Sequence, residues 1–311
     1  MNANLGASLK KMGPLLGLIL LSAGLSIASP NFLTASNLFS VLRQVSYSGL
    51  IAFGMTFVIL IGGIDLSVGA VLALVGIVTA GLIQSGMDPI LASCTGLLLG
   101  AACGAVNGLL VSAGRIAPFI ATLATMILYR GIAQEYSQSK PVSINAEGFF
   151  NSIGSGYVFG SIPVPVVMML AVYAVLWFVL KKTRFGRHVY ALGGSEDVAR
   201  ISGLKTGRLK VWVYTLSGVM AALAALVITS RLSSASPNAG AMYELDAIAA
   251  VVLGGTSLAG GRGWIFGTLV GVLLLGVLSN GLNLLNVSAN YQLIIKGAVI
   301  LFAVLLDRKG N

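Results

Sequence analysis

Long apolar runs follow one another along almost the whole chain, and short polar loops separate them. A helix that crosses a membrane needs about 20 consecutive apolar residues, and runs of this kind recur from end to end. The pattern predicts ten spanning helices, over approximately Gly13–Ala28, Leu38–Ile61, Leu66–Ile83, Pro89–Ala113, Pro118–Ala133, Pro163–Leu180, Val211–Thr229, Leu245–Leu258, Trp264–Leu282 and Tyr291–Leu306. An even number of spans places both termini on the same side.

Composition supports an integral membrane protein. Hydrophobic residues make up 57% of the 311 positions and charged residues only 9%, whereas soluble domains carry about 25% charged residues. No polar segment is long enough for a separate soluble domain. The expected fold is therefore all-α, with one transmembrane domain over residues 1–311.

Positive charge is concentrated in alternate loops. The formal net charge is +10, which in a soluble protein would suggest nucleic acid as a partner. Here most lysines and arginines fall in the loops that lie inside if the N-terminus is inside, the bias expected of membrane orientation. The pattern predicts cytoplasmic termini and no nucleic-acid partner.

Two spans share a glycine pattern and a continuation. In the fourth span a glycine occurs every four residues, at positions 96, 100, 104 and 108, which predicts a face for close helix packing. The segment 107–113, "NGLLVSA", resembles "NGLNLLNVSA" at 280–289. The match suggests two halves of five spans, and because five is odd the halves would form an inverted repeat.

Asp65 lies inside one of the most apolar stretches, "LIGGIDLSVGAVLAL". A charge in such a stretch marks function, a partner or a turn at the membrane edge. Its position before the small residues of the third span fits a helix N-cap, and a role in a transport pathway remains the alternative. Aligning the two halves pairs it with Glu244 or Asp246.

The segment 181–210 is the longest of the loops predicted to be cytoplasmic. Its middle predicts a short helix, with Ser195 as N-cap, Glu196 and Asp197 in the first turn and Gly203 as the stop. A structured charged helix between two spans suggests a docking surface, and a solvated loop is the alternative.

The sequence contains none of the motifs of an enzyme or an ATPase. It has no GxxxxGK[ST] phosphate loop, no HExxH, no GxSxG and a single histidine. The chain is therefore expected to bind no cofactor and to catalyse no reaction.

Three blocks carry a family resemblance: "GMTFVILIGGIDLSVGAVLAL", "YALGGSEDVARISGLK" and "YELDAIAAVVLGGTSLAGGRG". They resemble the permease subunits of bacterial sugar ABC importers, and the resemblance covers approximately residues 30–307. Within that family the chain is most similar to the ribose permeases, on the basis of segments 230–261 and 280–292. The implied substrate is ribose or a related monosaccharide.

The resemblance implies a multi-pass subunit of the bacterial inner membrane that works as a homodimer. It implies two partners, an ABC ATPase in the cytoplasm that uses ATP and Mg²⁺, and a periplasmic sugar-binding protein. The loop 181–210 matches the family's ATPase-docking segment, which assigns docking to Glu196, Asp197, Arg200 and Gly203. Family members often have Glu-Ala-Ala where this chain has Glu196-Asp197-Val198, so the detailed contacts differ.

Polar residues within or at the start of spans are the candidates for the substrate pathway. Sugar hydroxyls need hydrogen-bonding groups beside apolar or aromatic surfaces, although each such group can also bond to a neighbouring helix. The candidates are Gln44, Tyr47, Asp65, Asn107, Glu244, Asp246 and Asn280. A secondary transporter is the rival hypothesis, with the three carboxylates as its ion-coupling groups.

Overall fold

A computed structural model describes residues 2–145 and 148–308. The helices are α1 Asn2–Ala28, α2 Ala35–Leu60, α3 Val68–Gln84, α4 Pro89–Ser112, α5 Pro118–Tyr136, α6 Phe149–Ser155, α7 Val164–Lys182, α8 Arg184–Gly194, α9 Glu196–Ile201, α10 Thr206–Leu232, α11 Tyr243–Leu253, α12 Ile265–Leu284 and α13 Ala289–Arg308. Four two-residue strands complete the described part: β1 Val142–Ser143, β2 Tyr157–Val158, β3 Ile162–Pro163 and β4 Ser234–Ala235. β1 pairs antiparallel with β4, and β2 with β3.

Five of the described helices are long and apolar enough to cross a membrane, namely α2, α4, α7, α10 and α12. The apolar helix α3 and the apolar part of α1 are shorter. The structure therefore confirms an all-helical polytopic architecture, and the number of crossings stays a prediction.

Helix starts are set by local sequence signals. Thr34 caps α2 through a hydrogen bond from the Asn37 amide, and Asp88 caps α4 by accepting from the amides of Ile90 and Leu91. Proline occupies the first helical position of α4 and of α5, where its missing N–H costs no helical hydrogen bond.

Helix α2 forms the centre of the bundle. Its second half, from Leu50 to Leu60, is completely buried, because α7, α10, α11 and α12 pack around it. A helix that is apolar on all sides is stable in this position, since no face has to meet water.

The glycine face predicted in the fourth span is a packing seam. A β-carbon at Gly100, Gly104 or Gly108 would overlap atoms of α10, and one at Gly104 would overlap the Tyr214 carbonyl oxygen. Gly267 and Gly271 of α12 make the same kind of contact with the backbone of α11. The prediction of close glycine packing is confirmed at both places.

Helix α11 is shorter than the predicted span Leu245–Leu258, so that prediction is wrong at its C-terminal end. Its 11 residues extend about 16 Å at 1.5 Å per residue, roughly half of a bilayer core. Gly255 has φ +84°, a conformation that ends the helix. The following chain, which contains the glycine pairs 254–255 and 260–261, is irregular up to Trp264.

Candidate functional site

A narrow cleft lies between α2, α11, α12 and α13. Its polar lining consists of Gln44 and Ser48 from α2, Asp246 from α11, Ser279 from α12 and Lys296 from α13. Small-molecule sites are concave, mostly apolar and furnished with a few converging polar groups. The cleft therefore has the form of a binding site for a small polar molecule.

Two tyrosines flank the cleft. The ring of Tyr47 stacks on Tyr243 with 5.9 Å between centroids and 10° between planes, and Tyr243 lines the cleft directly. The Arg231 guanidinium interacts electrostatically with the Tyr47 hydroxyl. The pair supplies aromatic surface beside the polar groups of the lining.

An ion pair closes one side of the cleft. Lys296 Nζ lies 3.0 Å from Asp246 Oδ2, and the two side chains are 23% and 30% exposed. The pair links α11 to α13, and both charges stay accessible to a molecule in the cleft.

Two of the seven predicted pathway residues line this cleft, Gln44 and Asp246, and a third, Tyr47, stacks on Tyr243 beside it. Sequence reasoning missed Ser48, Tyr243, Ser279 and Lys296. A signal existed for Lys296, because it lies within the predicted span Tyr291–Leu306 and a charge inside an apolar span marks function.

Asp65 and Asn107 form a second, separate group. Asp65 is 1% exposed; Oδ1 accepts hydrogen bonds from the Ser67 amide (3.0 Å) and hydroxyl (2.7 Å), and Oδ2 accepts from Ser217 of α10 (2.8 Å). The Asn107 amide donates to the Ser67 hydroxyl at 2.7 Å. The carboxylate thus holds together the start of α3, α4 and α10.

The N-cap position of α3 belongs to Ser67 and not to Asp65, which corrects the sequence-based assignment. The chain makes one further turn at Leu66 and Ser67 before helical hydrogen bonding begins, with the Val71 amide donating to the Ser67 carbonyl. Asp65 therefore accepts a backbone N–H as expected, but in the turn that precedes the helix.

Glu244 and Asn280 lie elsewhere. Glu244 faces the start of α3, because a β-carbon at Gly69 would lie 2.6 Å from its Oε2. Asn280 exchanges side-chain hydrogen bonds with Asn37 of α2, at 2.7 and 3.0 Å. Neither residue lines the cleft.

The predicted loop helix is present as α9. The Ser195 hydroxyl accepts from the Val198 amide, and Gly203 ends the helix with φ +84°, as predicted. Glu196 pairs with Lys210 at 2.7 Å and Asp197 pairs with Arg200. Two apolar side chains on this charged helix face solvent, Val198 (63% exposed) and Ile201 (87% exposed).

A main-chain junction connects α8 to the bundle. The Gly261 amide donates to the Leu60 carbonyl at the end of α2 (2.9 Å), and a β-carbon at Gly193 of α8 would overlap both groups. The Tyr190 hydroxyl donates to the Gly263 carbonyl at 2.8 Å. Burial raises the pKa of Tyr190, which keeps this donor protonated.

Comparison with known proteins gives the family. The model for "Branched-chain amino acid transport system / permease component" matches residues 37–304. The chain belongs to this permease family. The ribose import permease protein RbsC of Bacillus subtilis is 57% identical over 304 residues, covering 97% of the chain and 94% of that protein.

Two further relatives also match over most of the chain. RbsC of Escherichia coli K12 is 50% identical, covering 97% of the chain and 95% of that protein. The D-allose transport system permease protein AlsC of Escherichia coli K12 is 44% identical, covering 91% of the chain and 86% of that protein. No solved structure gives a significant match to the permease.

The family resemblance expected from the sequence motifs is thereby confirmed. The permease is a multi-pass protein of the bacterial inner membrane and a transport subunit of an ABC importer. Ion-coupled secondary transport is not favoured.

Proposed function

We propose that this permease forms the membrane pathway of an ATP-driven importer for ribose or a related monosaccharide. The observation that carries the proposal is the 57% and 50% identity to two ribose import permeases over almost the full length. The cleft of α2, α11, α12 and α13 supports it, because aromatic and hydrogen-bonding groups meet there.

The ATPase partner docks on α9 and on the loop around it. Glu196, Asp197, Arg200 and Gly203 shape this surface, and the exposed side chain of Ile201 supplies its apolar contact. An exposed apolar residue on a charged cytoplasmic helix suits a protein interface, whose core is apolar and whose rim is polar. ATP and Mg²⁺ are bound by that partner and not by the permease.

The remaining architecture follows the family. The permease acts as a homodimer, receives sugar from a periplasmic binding protein and crosses the membrane ten times with both termini in the cytoplasm. Residues 1–311 form one transmembrane domain. The segment 233–242 and α11 together make the eighth crossing.

An inverted repeat is supported by the packing. Helix α4 packs on α10 as α12 packs on α2, and α3 packs on α4 as α11 packs on α12. If spans 1–5 correspond in order to spans 6–10, then α2, α3 and α4 correspond to α10, α11 and α12. The α4–α10 contact is then equivalent to the α12–α2 contact, and the α3–α4 contact to the α11–α12 contact. The repeat also places the starts of α3 and α11 side by side, where Gly69 meets Gly240.

Reconstitution tests the proposed function. The permease, its ATPase and its binding protein are placed in liposomes, and ribose uptake and ATP hydrolysis are measured. We expect uptake to require ATP and hydrolysis to rise with ribose-loaded binding protein. Uptake driven by a proton or sodium gradient without ATP would contradict the proposal.

A matched pair of variants tests the docking surface. Ile201→Asp should prevent co-purification of the ATPase, because it places a charge in an apolar contact. Phe159→Asp changes another exposed apolar residue (94% exposed) in the loop between α6 and α7 and should keep the complex. Equal recovery of ATPase with both variants would place the docking surface elsewhere.

A further inference from the structure

Three polar side chains at the cleft have unused hydrogen-bonding capacity. Gln44, Ser48 and Ser279 make no side-chain hydrogen bond within the part of the chain that the structure describes, although all three line the cleft. An amide group and two hydroxyls in a helical bundle without partners cost free energy unless water or a ligand satisfies them.

Several other polar residues of the same bundle bond to neighbouring helices, whereas Thr79, Thr256 and the Asn107 Oδ1 atom are buried without a partner in the described part of the chain. Asn280 bonds to Asn37, the Thr56 hydroxyl bonds to Thr268 at 2.8 Å, and Asp65 uses both carboxylate oxygens. The contrast separates two kinds of polar site. One kind fastens helices to each other, and the other, at the cleft, is open to a guest molecule.

The Asp246–Lys296 pair fits the same interpretation. A pair that served only to join α11 and α13 would be most effective with its hydrogen-bonding capacity used internally. Lys296 Nζ has three donors and Asp246 about four acceptor positions, and the structure uses one contact between them. Donor and acceptor capacity therefore remain side by side at the cleft.

We propose that this narrow cleft widens during transport into a transit site for a single monosaccharide, with Asp246 and Lys296 as its recognition residues. Adjacent sugar hydroxyls accept from Lys296 and donate to Asp246, while Gln44, Ser48 and Ser279 bond to the remaining hydroxyls. Tyr243 provides aromatic surface for the apolar face of the ring. The proposal rests on the proposed import of a monosaccharide and adds where in the permease the sugar binds.

In the assembled transporter, loss of the sugar site and loss of the folded structure affect ribose uptake and ATP hydrolysis differently. Asp246→Asn and Lys296→Gln should each lower ribose uptake about tenfold or more, the effect of losing a charged hydrogen bond. Hydrolysis stimulated by ribose-loaded binding protein should persist, because the ATPase surface is unchanged. Glu135→Gln and Lys140→Gln, at exposed positions, are the matched controls and should transport normally.

Exchanging the two charges distinguishes a role in sugar recognition from a structural role in joining α11 to α13. In the double variant Asp246→Lys/Lys296→Asp the ion pair can form again. A purely structural role therefore predicts that this variant regains ribose uptake. Recognition predicts that it does not, because donor and acceptor have changed places around the sugar. Normal uptake by both single variants, or recovery in the exchanged variant, would overturn the proposal.

A second variant covers the case in which the charged changes prevent assembly. Ser48→Leu fills the cleft and leaves the ion pair intact, so it should lower uptake without affecting complex formation. Normal uptake by this variant would also overturn the proposal. If the unmodified transporter itself shows no ATP-dependent ribose uptake, the proposed function fails and not the assignment of the cleft.

Discussion

At the scale of single residues, the position of Asp65 shows how a costly charge is accommodated. Its oxygens receive three hydrogen bonds, from the Ser67 amide and from the hydroxyls of Ser67 and Ser217. Because one oxygen is bound by Ser67 and the other by Ser217 of α10, the residue fixes the break between α2 and α3 to α10. This arrangement favours a structural role and leaves a pathway role as a question for experiment.

Substitution of Asp65 distinguishes the two roles. Asp65→Asn keeps an acceptor for Ser67 and an amide that can donate to Ser217, so we expect near-normal assembly and uptake. Asp65→Ala leaves buried hydroxyls unpaired, at a cost of about 1–3 kcal/mol for each group. Thermal stability in detergent and ribose uptake measure the outcome. A well-assembled Asn variant without transport would show that the charge itself is needed.

At the scale of helices, glycine seams decide which pairs approach closely. Helix α4 reaches α10 because positions 100, 104 and 108 carry no side chain on the facing side. In lipid, such contact replaces the hydrophobic driving force available to soluble bundles.

Two glycine-to-alanine changes should have opposite effects. At Gly104 the new methyl group would overlap the Tyr214 carbonyl, and overpacking of this kind costs about 1–3 kcal/mol. At Gly131 of α5 nothing lies within 4 Å, so alanine should stabilise the helix by about 1 kcal/mol or leave it unchanged. The melting temperature of each purified variant tests this, and equal melting temperatures would argue against the seam.

How much could be predicted from the sequence differs between helices and sites. The apolar periods and glycine spacings predicted the helices and the α4 seam because these depend on local pattern. The cleft could not be predicted in full, since Gln44, Asp246 and Lys296 come together only through the packing of α2, α11 and α13. The end of α11 was missed because apolar residues continue beyond the glycine pair.

At the scale of the whole molecule, the α8 junction connects the segment between α7 and α10 to α2 and to the loop that follows α11. Leu60 ends α2, and Gly261 follows α11, and both contact Gly193. A displacement of α8 would therefore reach the end of α2 and the loop between α11 and α12 through direct backbone contact.

The junction predicts a pair of transport phenotypes. Gly193→Ala should lower ribose uptake per ATP hydrolysed by about fivefold or more, the usual range of coupling between sites, because a methyl group would push α8 away from Leu60. Gly194→Ala, where nothing lies within 4 Å, should behave like the unmodified permease. Uptake and hydrolysis measured in the same liposomes give the ratio, and an unchanged ratio for Gly193→Ala would exclude this route.

The contact of Gly193 with Leu60 and Gly261 is made by main-chain atoms, and none of these residues lies in the segment from Glu196 to Lys210. The segment from Glu196 to Lys210, which carries the proposed docking surface, lies outside this contact. A chimera that exchanges only this segment with that of another permease should therefore change the choice of ATPase while retaining its own sugar. The specificity for the ATPase and the specificity for the sugar would then be determined by separate parts of the chain.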